Sequence, residues 1–573
     1  MAMKKKKIRI AAGAVAVLIA MSPLFTAIPA HAMTLDQEWS KNVGTSQLDR
    51  VVTMTKTSDG GYVVGGYSNA DVDADQGQNY MLAKLDAKGN QLWLIHLGGS
   101  VGFDEIHQVI ETSDGGLAIV GDTAGGMGAG GTIAAGGYVM RLDAGGNQVW
   151  GVNVGVKTND HFNAIVETTD GGFAVAGSTN GDLDNGAIGS YDGAIVKLDA
   201  NGNKLWAKNV GTEAQESLSS LIQTADGGFI AGGTVLDMSS GDFPTGDGLI
   251  VKVDAVGNQL WQKTVGTSQE DRINDVANTS DGGFVVAGIT AGDVGSGYLG
   301  NEDGMVLKFD KDGNQIWGQN IGTSSSDLIN SIIQTSDGGY ALGGMTYGDT
   351  GNGNIGESDG LMVKLDASGS KVWARNVGTN QSDQIFTIVE TADGGFAVAG
   401  STAGALSNGN MGQDDGFVIK FSPVYTISFD GNGGAGSMKS QSGFLDTSDS
   451  LGGNQFANSG KTFVGWATSE ENAKKGIVEY TDGQGMTYSG DMTLYAVWKS
   501  PAPTPPSKVD DANTSDPGTT GADVSEPAET TPQTGDSSDL AVWIGLFGFS
   551  AVATTSMAAV YGRKRKTNRQ SIK

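Results

Sequence analysis

Three blocks of sequence decide the fold. The first is Ala164-Ile165-Val166, then Thr169-Asp170-Gly171-Gly172, then Phe173-Ala174-Val175-Ala176-Gly177. After a Gly/Asp/Asn loop comes Ala194-Ile195-Val196-Lys197-Leu198-Asp199. The turn Ala200-Asn201-Gly202-Asn203 then leads to Lys204-Leu205-Trp206. These are four short apolar runs punctuated by turn residues, with no helical period. Asp supplies a side chain that caps a turn, and Gly supplies positive φ. The stretch therefore predicts four strands, a to d, with the Trp on strand d.

The unit recurs. Trp stands at 39, 93, 150, 206, 261, 317 and 373, and Asp-Gly-Gly begins at Asp59, Asp114, Asp170, Asp226, Asp281, Asp337 and Asp393. A fixed period of this length marks a solenoid or a propeller. Four strands repeated radially describe propeller blades, whereas the coils of an open parallel β-solenoid are usually shorter. The last unit ends at Phe417-Val418-Ile419-Lys420-Phe421 without its Trp strand, and Trp39 has no strands a to c before it. The N-terminal strand is thus expected to complete the last blade and leave no unpaired seam. The expectation is an all-β chain: a seven-bladed β-propeller over 33–422, with Pro423 marking its boundary.

Composition narrows the function. The chain has 573 residues, 91 Gly, 11 Pro and 17% charged residues, which fits neither a disordered chain nor collagen. Absence of Cys excludes disulfide scaffolds, Cys-ligated zinc, iron–sulfur clusters and thiol nucleophiles. A net charge of −28 with four His argues against nucleic-acid binding.

Both ends read as addresses. Lys4 to Lys7 and Arg9 precede an apolar run, and Ala30 and Ala32 place small residues at a cleavage site, so 1–32 is expected to be a signal peptide. The runner-up is a retained membrane anchor. Residues 540–562 are expected to form a transmembrane helix, and 563–573 a basic cytoplasmic tail. Thr531, Pro532, Gln533, Thr534 and Gly535 stand just upstream. This order resembles the LPxTG-type cell-wall sorting signal of Gram-positive surface proteins, with Thr531 in place of the usual Leu. The resemblance implies cutting by a sortase between Thr534 and Gly535, joining to peptidoglycan, and transient membrane retention. The alternative is a plain single-span membrane protein. Such processing removes eleven basic and two acidic residues, leaving 25 basic and 62 acidic and a net of −37.

The repeated units resemble secreted bacterial and archaeal β-propeller repeats. They also resemble the repeats of quinoprotein propellers, whose activity is not carried over. After Pro423, Thr426-Ile427-Ser428-Phe429-Asp430-Gly431, Lys461-Thr462-Phe463-Val464-Gly465-Trp466 and Leu494-Tyr495-Ala496-Val497-Trp498 resemble the Listeria–Bacteroides repeat of internalin-type proteins. That resemblance implies a small β-grasp-like module over 424–499, acting as a spacer or interaction unit. Residues 500–530, rich in Pro, Ser, Thr and acids, read as an extended wall-spanning linker.

A residue present in every blade reads as scaffold. The seven Trp are expected between blades, and the strand-c cations (Lys84, Arg141, Lys197, Lys252, Lys308, Lys364, Lys420) beside a recurrent acid. The acids before strand a (Asp49, Asp104, Asp160, Glu216, Asp271, Asp327, Asp383) read as staples. Binding is expected where blades differ, on the long b–c loops at 69–79, 181–191 and 236–247. Asp71, Asp73 and Asp75, with Asp182 and Asp184, resemble calcium ligands, set against a merely solvated loop. His107, Asn163, Ser219, Asn274 and Asn330 form a polar column on strand a that is a candidate channel mouth, interrupted by Val52 and Phe386. His107 and His161, near Asp104, Glu105 and Asp160, are a candidate metal or acid–base pair. No motif nominates catalytic residues; Asp242, Glu270 and Glu302 are only loop acids. The expected function is a wall-anchored surface protein whose propeller binds a glycan, a host protein or a neighbouring cell. The alternatives are an extracellular glycan hydrolase or lyase, which needs acids that break the seven-fold pattern, and a passive spacer.

Overall fold

The computed structural model describes residues 34–69, 78–98, 104–124, 136–155, 160–237, 245–406, 409, 412 and 414–501. The segments expected as signal peptide (with Ala30 and Ala32), as sorting motif and as the 540–562 span, nearly all of the expected linker, and Asp71, Asp73 and Asp75 lie outside them. Among the described residues no helix is long and apolar enough to cross a membrane.

The units fold as the turns dictate. In the third, strands His161–Glu167, Phe173–Thr179, Asp192–Leu198 and Lys204–Val210 make one antiparallel sheet in the order a-b-c-d. At the a–b turn, Asp170 accepts from Thr168 Oγ1 at 2.5 Å and from the Gly172 amide at 3.1 Å. Gly171 has φ +79°, and a Cβ on Gly172 would lie 2.3 Å from the Leu198 carbonyl. The first Gly serves conformation and the second serves space. Lys197 Nζ lies 3.0 Å from Asp170. All seven strand-c cations pair with their Asp-Gly-Gly aspartate in this way.

Six four-stranded sheets of this kind follow one another. Strands a stand innermost, each packed against strand a of its neighbours. Trp150 packs edge-on to Phe173 of the next blade, centroids 5.7 Å apart, and Nε1 donates to the Ala200 carbonyl at 3.1 Å. A Cβ on Gly202 would come within 2.8 Å of the same ring. The tryptophans are therefore wedges between blades.

The expectation of seven separate blades is corrected to six. The remaining strands, Asp383–Glu390, Phe396–Thr402 and Asp415–Asp430, belong to a seven-stranded sheet shared with the C-terminal module. Leu35–Val43 pairs antiparallel with the third of these, Trp39 opposite Lys420 and Val43 opposite Gly416. Trp39 reaches Tyr62 of the first blade at 5.9 Å, and Trp373 of the sixth reaches Phe396 at 6.1 Å. The physical reason for the fusion is that Asp415–Asp430 does not end at Pro423. Pro423 opposes Leu35 in the ladder, and the Val424 amide bonds the Thr34 carbonyl at 2.9 Å. Past it, the strand pairs with Gln441–Phe444 and, in parallel, with Met492–Lys499. Pro423 is thus a point within a strand, and no break marks the boundary expected there.

The module packs around fully buried Trp466, with Phe429, Phe463 and Phe456 rings 5.0, 4.9 and 6.2 Å away. Its short helix Glu470–Lys474 is capped by Ser469.

Candidate functional site

Each strand a carries a β-bulge, and the bulged residues are Val52, His107, Asn163, Ser219, Asn274, Asn330 and Phe386. This is the polar column read from the sequence, and its asparagines are largely occupied. Asn163, Asn274 and Asn330 donate Nδ2 to the carbonyls of Leu218, Ile329 and Ile385 on the next blade, at 2.8, 2.8 and 2.7 Å. They tie neighbouring inner strands together at the points where the bulge disrupts the ladder.

The residue after the bulge builds an inner ring. Thr53, Gln108, Ser220 and Asp275 accept from the amides of Val109, Ile165, Val276 and Ile332 of the following blade, at 3.3, 2.6, 3.2 and 2.9 Å. Asp275 is the one acid at a position otherwise filled by Thr53, Gln108, Ala164, Ser220, Ser331 and Thr387. Burial pushes its carboxyl up to about 6, against the hydrogen bonds of Ile332, Ser220 and Val276.

The end of the ring where strands a begin is different. Its repeated position is filled by Arg50, Glu105, His161, Ser217, Arg272, Leu328 and Gln384, which share almost no chemistry. Here His107 Nε2 and His161 Nδ1, from two blades, both meet Asp122 Oδ2, at 3.1 and 2.6 Å. Burial would raise Asp122, but the hydrogen bonds from both imidazoles outweigh it and hold the carboxyl down to about 2. His161, with a side chain 55% exposed, is raised by that same bond to Asp122. The carboxylate fixes which ring nitrogen of each histidine faces it, Nε2 of His107 and Nδ1 of His161. The two histidines were expected to be neighbours, but Asp122 was missed. Its signal was available in the seven-fold alignment, where Tyr67, Ser178, Thr234, Ile289, Met345 and Ser401 occupy its place.

Across this face, Arg50, Tyr67, Tyr347, Ser382, Gln384 and Ser401 line a cleft of about 370 Å³. Arg50 lies 4.6 Å over the Phe386 ring.

The b–c loops are less individual than their sequences suggested. Asp182 accepts from the Gly186 amide at 2.7 Å, as Asp293 and Asp349 do from glycine amides of their own loops. Asn209, Asn320 and Asn376 join these loops to Asp192, Asp303 and Asp359 at 2.7, 2.9 and 2.8 Å. Asp184 pairs with Lys204 at 3.2 Å. The oxygens read as calcium ligands at Asp182 and Asp184 thus serve loop closure and an ion pair. Among the described residues no group of three or more His, Cys, Asp or Glu is arranged to hold a metal. Glu270 pairs with Arg272, and Asp242 lies outside the described residues.

Residues 425–497 match the Listeria–Bacteroides repeat domain. The chain is 30% identical over 230 residues to the regulatory protein FlaEY of Caulobacter vibrioides, a match covering 37% of this chain and 23% of that protein. The chain therefore spans less than a quarter of that relative's length. Among solved structures, YCF48 bound to D1 peptide is similar over 68% of this chain and 98% of its own, with 13% identity and a TM-score of 0.40. A Dyadobacter fermentans protein of unknown function is similar over 68% and 99%, with 9% identity and a TM-score of 0.38. Residues 425–497 are thus a Listeria–Bacteroides repeat domain, carried on a β-propeller scaffold.

Proposed function

We propose that this chain is an exported, wall-anchored surface protein that binds an extracellular ligand at the end of the propeller where strands a begin. The observation that carries the reading is the contrast between positions. Turn aspartates, strand-c cations and wedge tryptophans recur from blade to blade, whereas Arg50, Glu105, His161, Ser217, Arg272, Leu328 and Gln384 put six residue types at one position. A scaffold residue must repeat, and a residue that meets an asymmetric ligand must not. In this reading Leu35–Val43 latches the N-terminal end of the propeller into the fused sheet. The module and linker hold the propeller away from the wall, and sortase acts at Thr534-Gly535.

The hydrolase alternative draws on the two acids that break the pattern. Asp275 accepts hydrogen bonds from Ser220, Val276 and Ile332 in the inner ring, and Asp122 is held ionised between two histidines. The oxygens of both acids are engaged by these neighbours, which favours binding over glycoside cleavage.

Two measurements test the proposal. Fractionation of Gram-positive cells expressing the full chain should place it in the wall, and Thr534→Ala should move it to the membrane. Unchanged wall retention in that variant would refute sorting. On a glycan and matrix-protein array, His161→Ala and Tyr347→Ala should each remove signal given by the wild type. Retention in both would refute this face as the binding surface.

A further inference from the structure

We propose that the cleft between the first blade, the sixth blade and the fused sheet binds a saccharide carrying a carboxylate, held by Arg50. This rests on the reading above that the strand-a end of the propeller is its binding face.

Two described arginines, Arg50 and Arg375, have no ion pair and lie over a phenylalanine ring, and of the two it is Arg50 that lines the cleft. Arg141 is buried and paired with Asp114, Arg272 pairs with Glu270, and Arg375 donates to the Leu35 carbonyl at 2.9 Å. Arg50 has no ion pair among the described residues. Its one hydrogen bond runs to Gln384 Oε1 at 3.4 Å, and its Nε is buried with no partner. Its guanidinium rests on Phe386, the residue that interrupts the polar column. A guanidinium stacked on an aromatic ring keeps its donor edge free, in a geometry that matches a carboxylate.

The rest of the cleft gives the class of ligand. A volume of about 370 Å³ suits a small ligand or the end of a chain. Tyr67 and Tyr347 offer aromatic faces, and Tyr347 is 51% exposed. Ser382, Ser401 and Gln384 offer groups that bond sugar hydroxyls. The two acids in the lining restrict where charge can sit. Asp383 is buried, and Oδ2 accepts from the Thr379 amide at 2.7 Å. Asp414 is exposed and disfavours negative charge on its side of the cleft. With a chain charge of −28, a densely sulfated polymer or a nucleic acid is repelled, while one carboxylate beside Arg50 is tolerated.

The test is calorimetric titration of the full chain with trigalacturonic acid, its methyl ester, neutral galactotriose and a triglutamate peptide. We expect the acid to bind at least about tenfold more tightly than its ester, the scale of one charge-assisted bond. Arg50→Gln should lose the same factor for the acid and nothing for the ester. Arg50→Lys, which keeps the charge without the fork, should fall between, with thermal melts showing all variants folded. Equal affinity for acid and ester, an unchanged Arg50→Gln, or equal binding of triglutamate would overturn the proposal. If galactotriose binds as well as the acid and Tyr347→Ala abolishes both, the carboxylate class fails but the binding face stands. If no saccharide binds, the proposal fails, and the array then decides the binding face separately.

Discussion

Glu216 should make the propeller lose stability as pH rises through neutrality. It occupies the position that the other blades fill with Asp49, Asp104, Asp160, Asp271, Asp327 and Asp383. Its cross-strand partner is Val235, where the equivalent residues are Ser68, Thr123, Thr179, Thr290, Thr346 and Thr402. In the third blade the Thr179 hydroxyl donates to Asp160 at 2.6 Å. Val235 has no hydroxyl, and Glu216 Oε2 is buried without a partner. Burial, with the charge of Asp192 nearby, pushes the carboxyl from 4.5 up to about 7 despite the bonds from Thr212. Because the folded state holds the proton more tightly, its stabilising effect is complete below pH 4.5. It is lost as pH rises to about 7. At about 1.4 kcal/mol per unit the loss comes to about 3 kcal/mol. Denaturant unfolding of wild type and Glu216→Gln at pH 4.5 and pH 8 measures it. The difference between the two proteins should move by about 3 kcal/mol in favour of the glutamine variant at the higher pH. Val235→Thr should restore the missing donor and flatten the wild-type profile. Parallel profiles for wild type and Glu216→Gln would refute the reasoning.

Three further outcomes follow from the geometry. In Asp122→Asn, the His161 imidazole should titrate lower than in the wild type, because the bond that raises it is weakened; an NMR titration of the ring protons reads this directly. Trp150→Ala should cost about 3 kcal/mol through the emptied wedge, while Leu205→Ala, 56% exposed on the neighbouring outer strand, should change stability by less than about 0.5 kcal/mol in the same unfolding assay. Asp170→Ala should destabilise by about 2 kcal/mol or more, since it leaves the buried Lys197 ammonium with the Leu198 carbonyl alone, whereas Lys197→Met should cost less because no buried charge remains.

The blade was legible because its information is local. Asp170-Gly171-Gly172 fixes a turn, the apolar runs fix strands, and the 56-residue spacing of Trp150 and Trp206 fixes the repeat. The pairing of Lys197 with a recurrent acid was equally open to reading, since seven cations at one position need seven partners. The site was less legible because it depends on contacts between blades. Asp122 meets His107 and His161 only through the bulge and the docking of two sheets, and nothing near Asp122 in sequence announces them. The bulge also misled the reading of Asn163, Asn274 and Asn330. A polar residue on an inner strand looks available until the next blade's carbonyl is seen in front of it. Pro423 misled for another reason: proline lacks a donor, but at this register the ladder does not require one from it.

The strand Asp415–Asp430 belongs to two bodies at once, and that has a mechanical meaning. Tension applied to the module enters the propeller along this strand and meets no linker that could stretch first. The hydrogen bonds joining it to Leu35–Val43 lie across the direction of pull. They are therefore loaded together in shear and cannot open one by one like a zip. A pull on the module is therefore transmitted through the same ladder that ties the N-terminal strand into the propeller.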